Sequence, residues 1–382
     1  MPTYSISGSV GKSGAGAKVF LTLNITGGGG GSYAGLWMEQ AQVIADSNGN
    51  YTFAGLTANP YGYLGDGTTN GNVIGYRVTP ALWGFEFSPF SSDQVITAAN
   101  ITGVNFTKSR VYSLVQEYVA NFSGTQNPLT NWTQVLDDPT GLQATSGQCE
   151  GLGDETGANT SPSGAYPSTY IPSSADCYSK STLAAANDND LFGASLRTDA
   201  SAASVGFGTE FYAGAGTAGD NGFQILDNVI NLPVFTGQGF LTADSSPYTV
   251  QVGDAVILLI RGTNLYLFLN PAAAPTTFIP VGAGSSTNTP AVGLIALQID
   301  LSTTDHTTSA WSAFSAGIVR SAAFHGGGGQ RQRYIRGIWH RYISYDRSYL
   351  QPCGRNKLQQ NSDHGHQPRV TVHRVIDYFR HK

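Results

Sequence analysis

The chain is short of charge. Asp, Glu, Lys and Arg make up 12% of its 382 residues, about half of the ~25% usual in soluble domains. Six residues are glutamates: Glu39, Glu86, Glu117, Glu150, Glu155 and Glu210. Long helices draw on Glu, Lys, Ala and Leu, so this shortage argues against a helical protein. Cysteine is scarce at three, too few for a disulfide framework. Cys149 and Cys177 either bridge each other or stay unpaired as small apolar residues, and Cys353 stands apart. Six of the seven histidines lie beyond residue 320, which leaves only His306 in the body of the chain. A Ser-His-Asp site is therefore disfavoured, and no Cys/His cluster has the spacing of a zinc site. No apolar run reaches ~18 residues, so no helix of this sequence is expected to span a membrane. The opening MPTYSISGSV lacks the charged and apolar parts of an export signal. The chain thus reads either as a cytosolic protein or as an internal piece of a longer exported one.

Glycine, in contrast, is abundant at 48 residues, and 40% of the chain is apolar. That combination suits β-sheets joined by many turns, with enough apolar surface for a core. The clearest element is residues 250–270, VQVGDAVILLIRGTNLYLFLN. Val256, Leu258 and Ile260 fall on one face, Gly262-Thr263-Asn264 turns the chain, and Leu265, Leu267 and Leu269 alternate again. Period-two spacing about a Gly/Asn turn predicts a β-hairpin, and as the most apolar stretch it should sit at the centre of the fold. Net charge is divided along the chain. Residues 321–382 hold 11 of the 20 basic and 3 of the 25 acidic residues, a net +8 that leaves −13 on the rest. An acidic body argues against nucleic acid as a partner.

Within residues 1–108, short alternating segments follow one another at Tyr4–Val10, Lys18–Leu23, Gln42–Ala45, Tyr51–Phe53 and Tyr76–Pro80, with the Asn48-Gly49 turn between the third and fourth. This is the pattern of a small Greek-key β-sandwich. The runs SISGSV, ADSNGNYTFAGL, YRVTP, GFEFSP and ITGVNFT, in that order, resemble bacterial carboxypeptidase regulatory-like domains, relatives of the transthyretin-like and starch-binding-like sandwiches. The resemblance implies a spacer or adhesive module of an exported protein, without catalytic residues. The glycine run 27–31 is not followed by G-K-[S/T] or a helix, so it is read as a hairpin insert and not as a phosphate loop. Tyr61, Tyr63 and Trp83 could stack on sugar rings or simply pack at a rim.

Lys108-Ser109-Arg110 reads as a polar hinge into a second domain over residues 109–320. Strands are predicted at 114–122, 131–135, 178–184, 191–197, 205–212, 222–229, in the hairpin, and at 291–299 and 311–319, with 146–174 as a polar surface loop. The segments LTNWTQV, YSKSTLA, LFGASLRTD, GDAVILLIRGTNLYLFLN and WSAFSAGIV resemble the concanavalin A-like, laminin G-like jelly roll, which implies two stacked sheets. Some jelly rolls of this kind are glycosidases, which need paired carboxylates. No acid run of the form E-x-D-x-E is present. Calcium is the cofactor the residues allow: Asn187-Asp188-Asn189-Asp190 gathers oxygen ligands, with Asp188 and Asp190 the best placed, and Asp220, Asn221 and Asp227 weaker. The same run also suits an ordinary turn. Candidate sugar platforms are Trp132, Tyr178, Tyr212 and Trp311, with Phe211 beside them, although strand alternation will bury several.

Residues 321–382 are assigned to a basic tail; after Phe324 no helical or strand period lasts, and poor order is predicted for residues 325–382. One reading is a basic arm. The favoured reading is translation out of frame: shifted by one nucleotide, the codons for Ile338–Arg341 can encode S-G-T and those for residues 372–382 F-T-G-L-S-T-T-S-G-T, echoes of the first domain, as in a repeat array. The whole sequence predicts an all-β protein, extracellular or at a cell surface, that binds a glycan or other surface polymer without catalysis. The alternatives are a secreted glycoside hydrolase and a purely structural stalk. Oligomeric state is not legible.

Overall fold

The structure, a computed structural model, describes residues 2–26, 36–58, 72–120, 122–135, 142–151, 163–186, 191–198, 207–212, 223–227, 232–234, 250–285, 291–300 and 309–324. Among these the chain forms strands and one 3₁₀ turn at Lys12–Gly14. The all-β class expected from composition holds.

The N-terminal sandwich comprises β1 (Thr3–Ser9), β2 (Lys18–Thr26), β3 (Leu36–Ile44), β4 (Asn50–Thr57), β5 (Asn72–Ala81), β6 (Phe85–Ser88) and β7 (Ser92–Gln94). β1 pairs with β4, and a second sheet runs β3-β2-β5-β7. Alternation along β2 divides its side chains: Val19 and Leu21 enter the sandwich core with Ile6, Phe53, Val78 and Phe106. Phe20, between them, points the other way and packs against the rest of the molecule.

The larger part is a two-layer jelly roll. One sheet contains β10 (Leu142–Thr145), β11 (Gln148–Gly151), β22 (Ala310–Ala323), β13 (Cys177–Ala185), β18 (Ala255–Arg261), β19 (Asn264–Asn270) and β20 (Ile279–Ser285), in that spatial order. β8 (Thr107–Val119) lies along the free part of β22, and β6 pairs with β8. The facing sheet runs β17 (Leu232–Val234), β16 (Phe223–Asp227), β15 (Phe207–Tyr212), β14 (Leu191–Thr198), β21 (Leu294–Asp300), β12 (Ser163–Pro167) and β9 (Trp132–Val135).

The predicted hairpin is β18–β19, turning at Gly262 with φ +56°. Val256, Leu258 and Ile260 meet Phe192, Leu196, Ile225, Ile295 and Leu297 of the facing sheet in the main core. Ile257, Leu259, Tyr266 and Phe268 point to the opposite side, where Phe20 and Ala81 of the N-terminal sandwich cover them. A strand covered on both faces needs an unbroken apolar run, which is why VILLI has no polar residue at alternate positions.

Three expectations need correction, and one open alternative is decided. Lys108-Ser109-Arg110 is not a hinge: it lies within β8, with Arg110 opposite Glu86 of β6 and Ala323 of β22. The sandwich and the jelly roll therefore share a sheet and pack as one body. The polar stretch 146–174 is not one loop, since it contributes β11 and β12. The basic tail does not begin at 321, because β22 continues to Ala323, and Phe324 donates its backbone N–H to Ser109 and meets the Phe85 ring edge-on. Beyond residue 324 the tail, ordered or not, lies outside the described residues, as does the glycine insert. Of the two alternatives for Cys149 and Cys177, the unpaired one holds: both are free and buried. Cys149 pairs with Trp311 on one side of β22 and Cys177 with Ile318 on the other. Seven residues of strand separate those rungs, roughly 23 Å at ~3.3 Å per residue, far beyond the ~7 Å reach of a disulfide.

Two outcomes follow. Leu259→Ala should lower the unfolding free energy by about 2–5 kcal/mol in urea denaturation; if its face were open to solvent the change would stay within about 0.5 kcal/mol. In a Cys353→Ser chain, Cys149 and Cys177 should resist a thiol reagent at pH 8 until the protein is unfolded. Burial raises both thiols, Cys177 to about 12, so the reactive thiolate is scarce.

Candidate functional site

Two of the four rings expected to carry ligand, Trp311 and Tyr178, are buried. Trp311 is 1% exposed and meets Phe192 edge-on at 5.1 Å inside the main core. Tyr178 is buried beneath the N-terminal sandwich, on the outward face of β13. Neither presents a ring face to a sugar. Trp132 is half-buried at the core margin, in edge contact with Tyr118 and Phe314 and tilted against Phe122. Tyr212 ends β15, but its side chain, like those of Phe211 and Asp227, lies outside the described residues. Asp188, Asp190, Asp220, Asn221, Tyr61 and Tyr63 lie outside them as well. Among the described residues no three His, Cys, Asp or Glu side chains gather around a point where a metal could sit.

The concave site forms where the N-terminal sandwich meets the jelly roll, around Trp83. Leu82 to Phe85 make a tight turn between β5 and β6, closed by the Phe85 N–H donating to the Leu82 carbonyl at 3.1 Å. Gly84 takes φ +79° there, a conformation side chains disfavour. The turn holds Trp83 at its tip, stacked on Phe278 at 4.0 Å and 6°. Its edges meet Phe268 at 4.9 Å and Tyr112 at 5.9 Å. Beside it opens a cleft of about 350 Å³, with Ile257 and Tyr112 in the floor and Trp83, Phe278 and Leu114 as walls. Ser113 and Lys180 complete the lining. Lys180 rises from the middle of β13, flanked across the sheet by Ile257 and Ser315. A few polar groups over an apolar floor are typical of small-ligand sites. Among the described residues no carboxylate lines the cleft.

A buried polar lock fixes the two halves of this site. Glu86 of β6, 4% exposed, is ion-paired with Arg261 at the end of β18. Asp176 lies 3.8 Å from the same guanidinium and accepts the Gly262 N–H at 2.8 Å. Arg197, buried on β14, donates to the Ala175 carbonyl at 2.6 Å and the Gly262 carbonyl at 2.8 Å. The hairpin turn is thereby clamped by both sheets and by the N-terminal sandwich. Burial, with the negative charge of Glu86 adding to it, keeps the Tyr112 and Tyr266 phenols well above their ordinary pKa, so both stay neutral.

Glu117 and Glu150 are also engaged. Glu117 accepts the Ser173 N–H at 3.0 Å and the Tyr170 hydroxyl at 3.2 Å, and is bonded to the Ser173 hydroxyl. Partial burial pushes its pKa up, but these donors and Arg320 outweigh that and hold it below the usual range. Glu117 is therefore an ionised acceptor and unsuited to donate a proton at neutral pH. Glu150 accepts from Gln143 at 3.3 Å. Glu86 and Asp176 share Arg261, and Arg197, 3.6 Å from Asp176, supplies the second positive charge. Sequence reasoning had weighed Trp83 but missed Phe278, Tyr112 and Lys180. The signal for them was the apolar run at 255–260, which implies a covered outer face on the sheet that carries Lys180.

No protein-family model matches the sequence, and no curated protein matches it. Solved structures similar in layout include β-agarase A from Zobellia galactanivorans, with TM-score 0.36, 8% identity, 56% of this chain and 94% of that one. The carbohydrate-binding module CBM66 from Bacillus subtilis gives 0.31 and 14%, covering 50% of this chain and 96% of that one. The lectin UEA-II, complexed with galactose, gives 0.32 and 10%, covering 54% of this chain and 100% of that one. The jelly-roll assignment itself rests on the strand order and register above.

Breaking the lock tests the docking. Glu86→Ala should cost about 3 kcal/mol of stability, because it leaves the partly buried Arg261 guanidinium with only the Asp176 carboxylate at 3.8 Å. Adding Arg261→Met should recover most of that loss in the same denaturation assay.

Proposed function

We propose that this protein is a glycan-binding part of a secreted or cell-surface protein, and that it binds its ligand in the cleft beside Trp83 without cutting it. The observation that carries this reading is the lining: aromatic and aliphatic walls, a hydroxyl and an ammonium, and no carboxylate among the described residues. An aromatic wall suits the apolar face of a pyranose, and the hydroxyl and ammonium offer hydrogen bonds. Glycoside hydrolysis needs two carboxylates across the scissile bond, and Glu86, Glu117, Glu150 and Asp176 are committed to structural partners. Jelly rolls serve hydrolases and binders alike, so the residues of the site, and not the fold, make the choice.

The N-terminal sandwich is part of this reading. It supplies Trp83 and covers the outer face of the hairpin, a role beyond that of a spacer. A stalk would need the docking but not the cleft. Adhesion to a polymer surface, repetition of the unit and a calcium ion at Asp188 and Asp190 extend the proposal and are separable from it; addition of a chelator during binding tests the last.

A glycan array followed by calorimetric titration of the best ligand should give saturable binding. Trp83→Ala should raise the Kd at least tenfold, about 1.4 kcal/mol. Incubation with the same glycans should release no reducing sugar. Turnover abolished by replacing a single acid would contradict the reading, as would ligand affinity indifferent to Trp83.

A further inference from the structure

We propose that the ligand of this cleft is a carboxylated sugar, a uronic acid residue within a glycan, and that Lys180 selects it. The inference rests on the glycan-binding reading above. Lys180 stands on an inner strand, on the outward face that also carries Tyr178, Ile257, Leu259 and, directly opposite on β22, Ser315. An ammonium on an apolar sheet face is costly unless it reaches water or an anion; the cleft is where this one does. Arg261 and Arg197 nearby are both matched by acids, Glu86 and Asp176. Lys180 has no ion pair among the described residues, and the cleft lining offers it no carboxylate. The site is thus complementary to one negative charge presented by a body with an apolar face. A uronate has that shape: a pyranose whose apolar face lies against aromatic walls, with a carboxylate projecting from C5.

The rest of the chain sharpens the chemistry. Residues 1–320 carry a net −13, so a polyanion is repelled at a distance and attracted only on contact. The repulsion is screened over about 10 Å at 0.1 M salt, whereas a recessed contact is screened less. Affinity for a uronide should therefore hold or rise as salt is raised from low to physiological strength. Adsorption on the basic residues past 320 would instead weaken with salt.

The test uses the full chain and trisaccharides of galacturonate, glucuronate and mannuronate, each against its carboxyl-reduced counterpart, in which –COO⁻ has become –CH₂OH. At least one acid form should bind ten times or more tighter than its reduced form. Lys180→Met should collapse that ratio toward one, and Lys180→Arg should preserve it, with unfolding midpoints confirming that both variants fold. Equal affinity for acid and reduced forms overturns the carboxylate assignment while leaving the glycan reading in place. A ratio unchanged in Lys180→Met overturns the role of Lys180. Failure of every acid and neutral glycan to bind overturns both.

Discussion

Apolar contact on both faces of one hairpin holds the molecule together. β18 and β19 are buried along nearly their whole length. Their inward residues close the core between the two jelly-roll sheets, and their outward residues close a second core against the N-terminal sandwich. At roughly 1.5–3 kcal/mol for each fully buried large side chain, either face left open would forfeit a large part of the 5–15 kcal/mol by which a domain is usually stable. The sandwich is therefore a structural member of the larger fold, and β8, shared by both parts, is the covalent expression of that union.

The docking explains where polar groups are allowed. A buried interface tolerates ions only when they are paired, and Glu86, Arg261 and Asp176 meet that condition at the hairpin turn. Where the sandwich stops short of covering the sheet, a cleft remains, and there a lysine can stand without an acid. The same apolar surface that drives docking supplies the walls of the site, so Trp83 serves both: one edge on Phe268 completes the interface and the ring lines the opening. Recognition chemistry sits at the margin of the packing that creates it.

Much of the architecture was legible in the residues. Period-two alternation and the Gly262 turn located the hairpin, and the scarcity of Glu and Lys foretold a protein of strands. The same local reading failed wherever structure depends on distant partners. Lys108-Ser109-Arg110 looks like a hinge because three polar residues interrupt the apolar pattern; they form a strand because β6 and β22 lie on either side. Residues 148–151 and 163–167 hide in a polar stretch because pairing partners far along the chain, not their own propensity, make them strands. Trp311 and Tyr178 looked like platforms because a large ring in a strand can face either way, and the choice of face is made by what packs against it. The cleft was the least visible feature, since its walls come from segments between residues 83 and 278 that only the docking brings together. The run VILLI did contain the clue that both faces of its sheet are covered.

Scanning calorimetry of the full chain tests most directly whether sandwich and jelly roll form one cooperative body built on the hairpin. A single transition, with calorimetric and van't Hoff enthalpies in agreement, is the predicted result. Two resolved transitions, the smaller one unaffected by substitutions in β18, would contradict it.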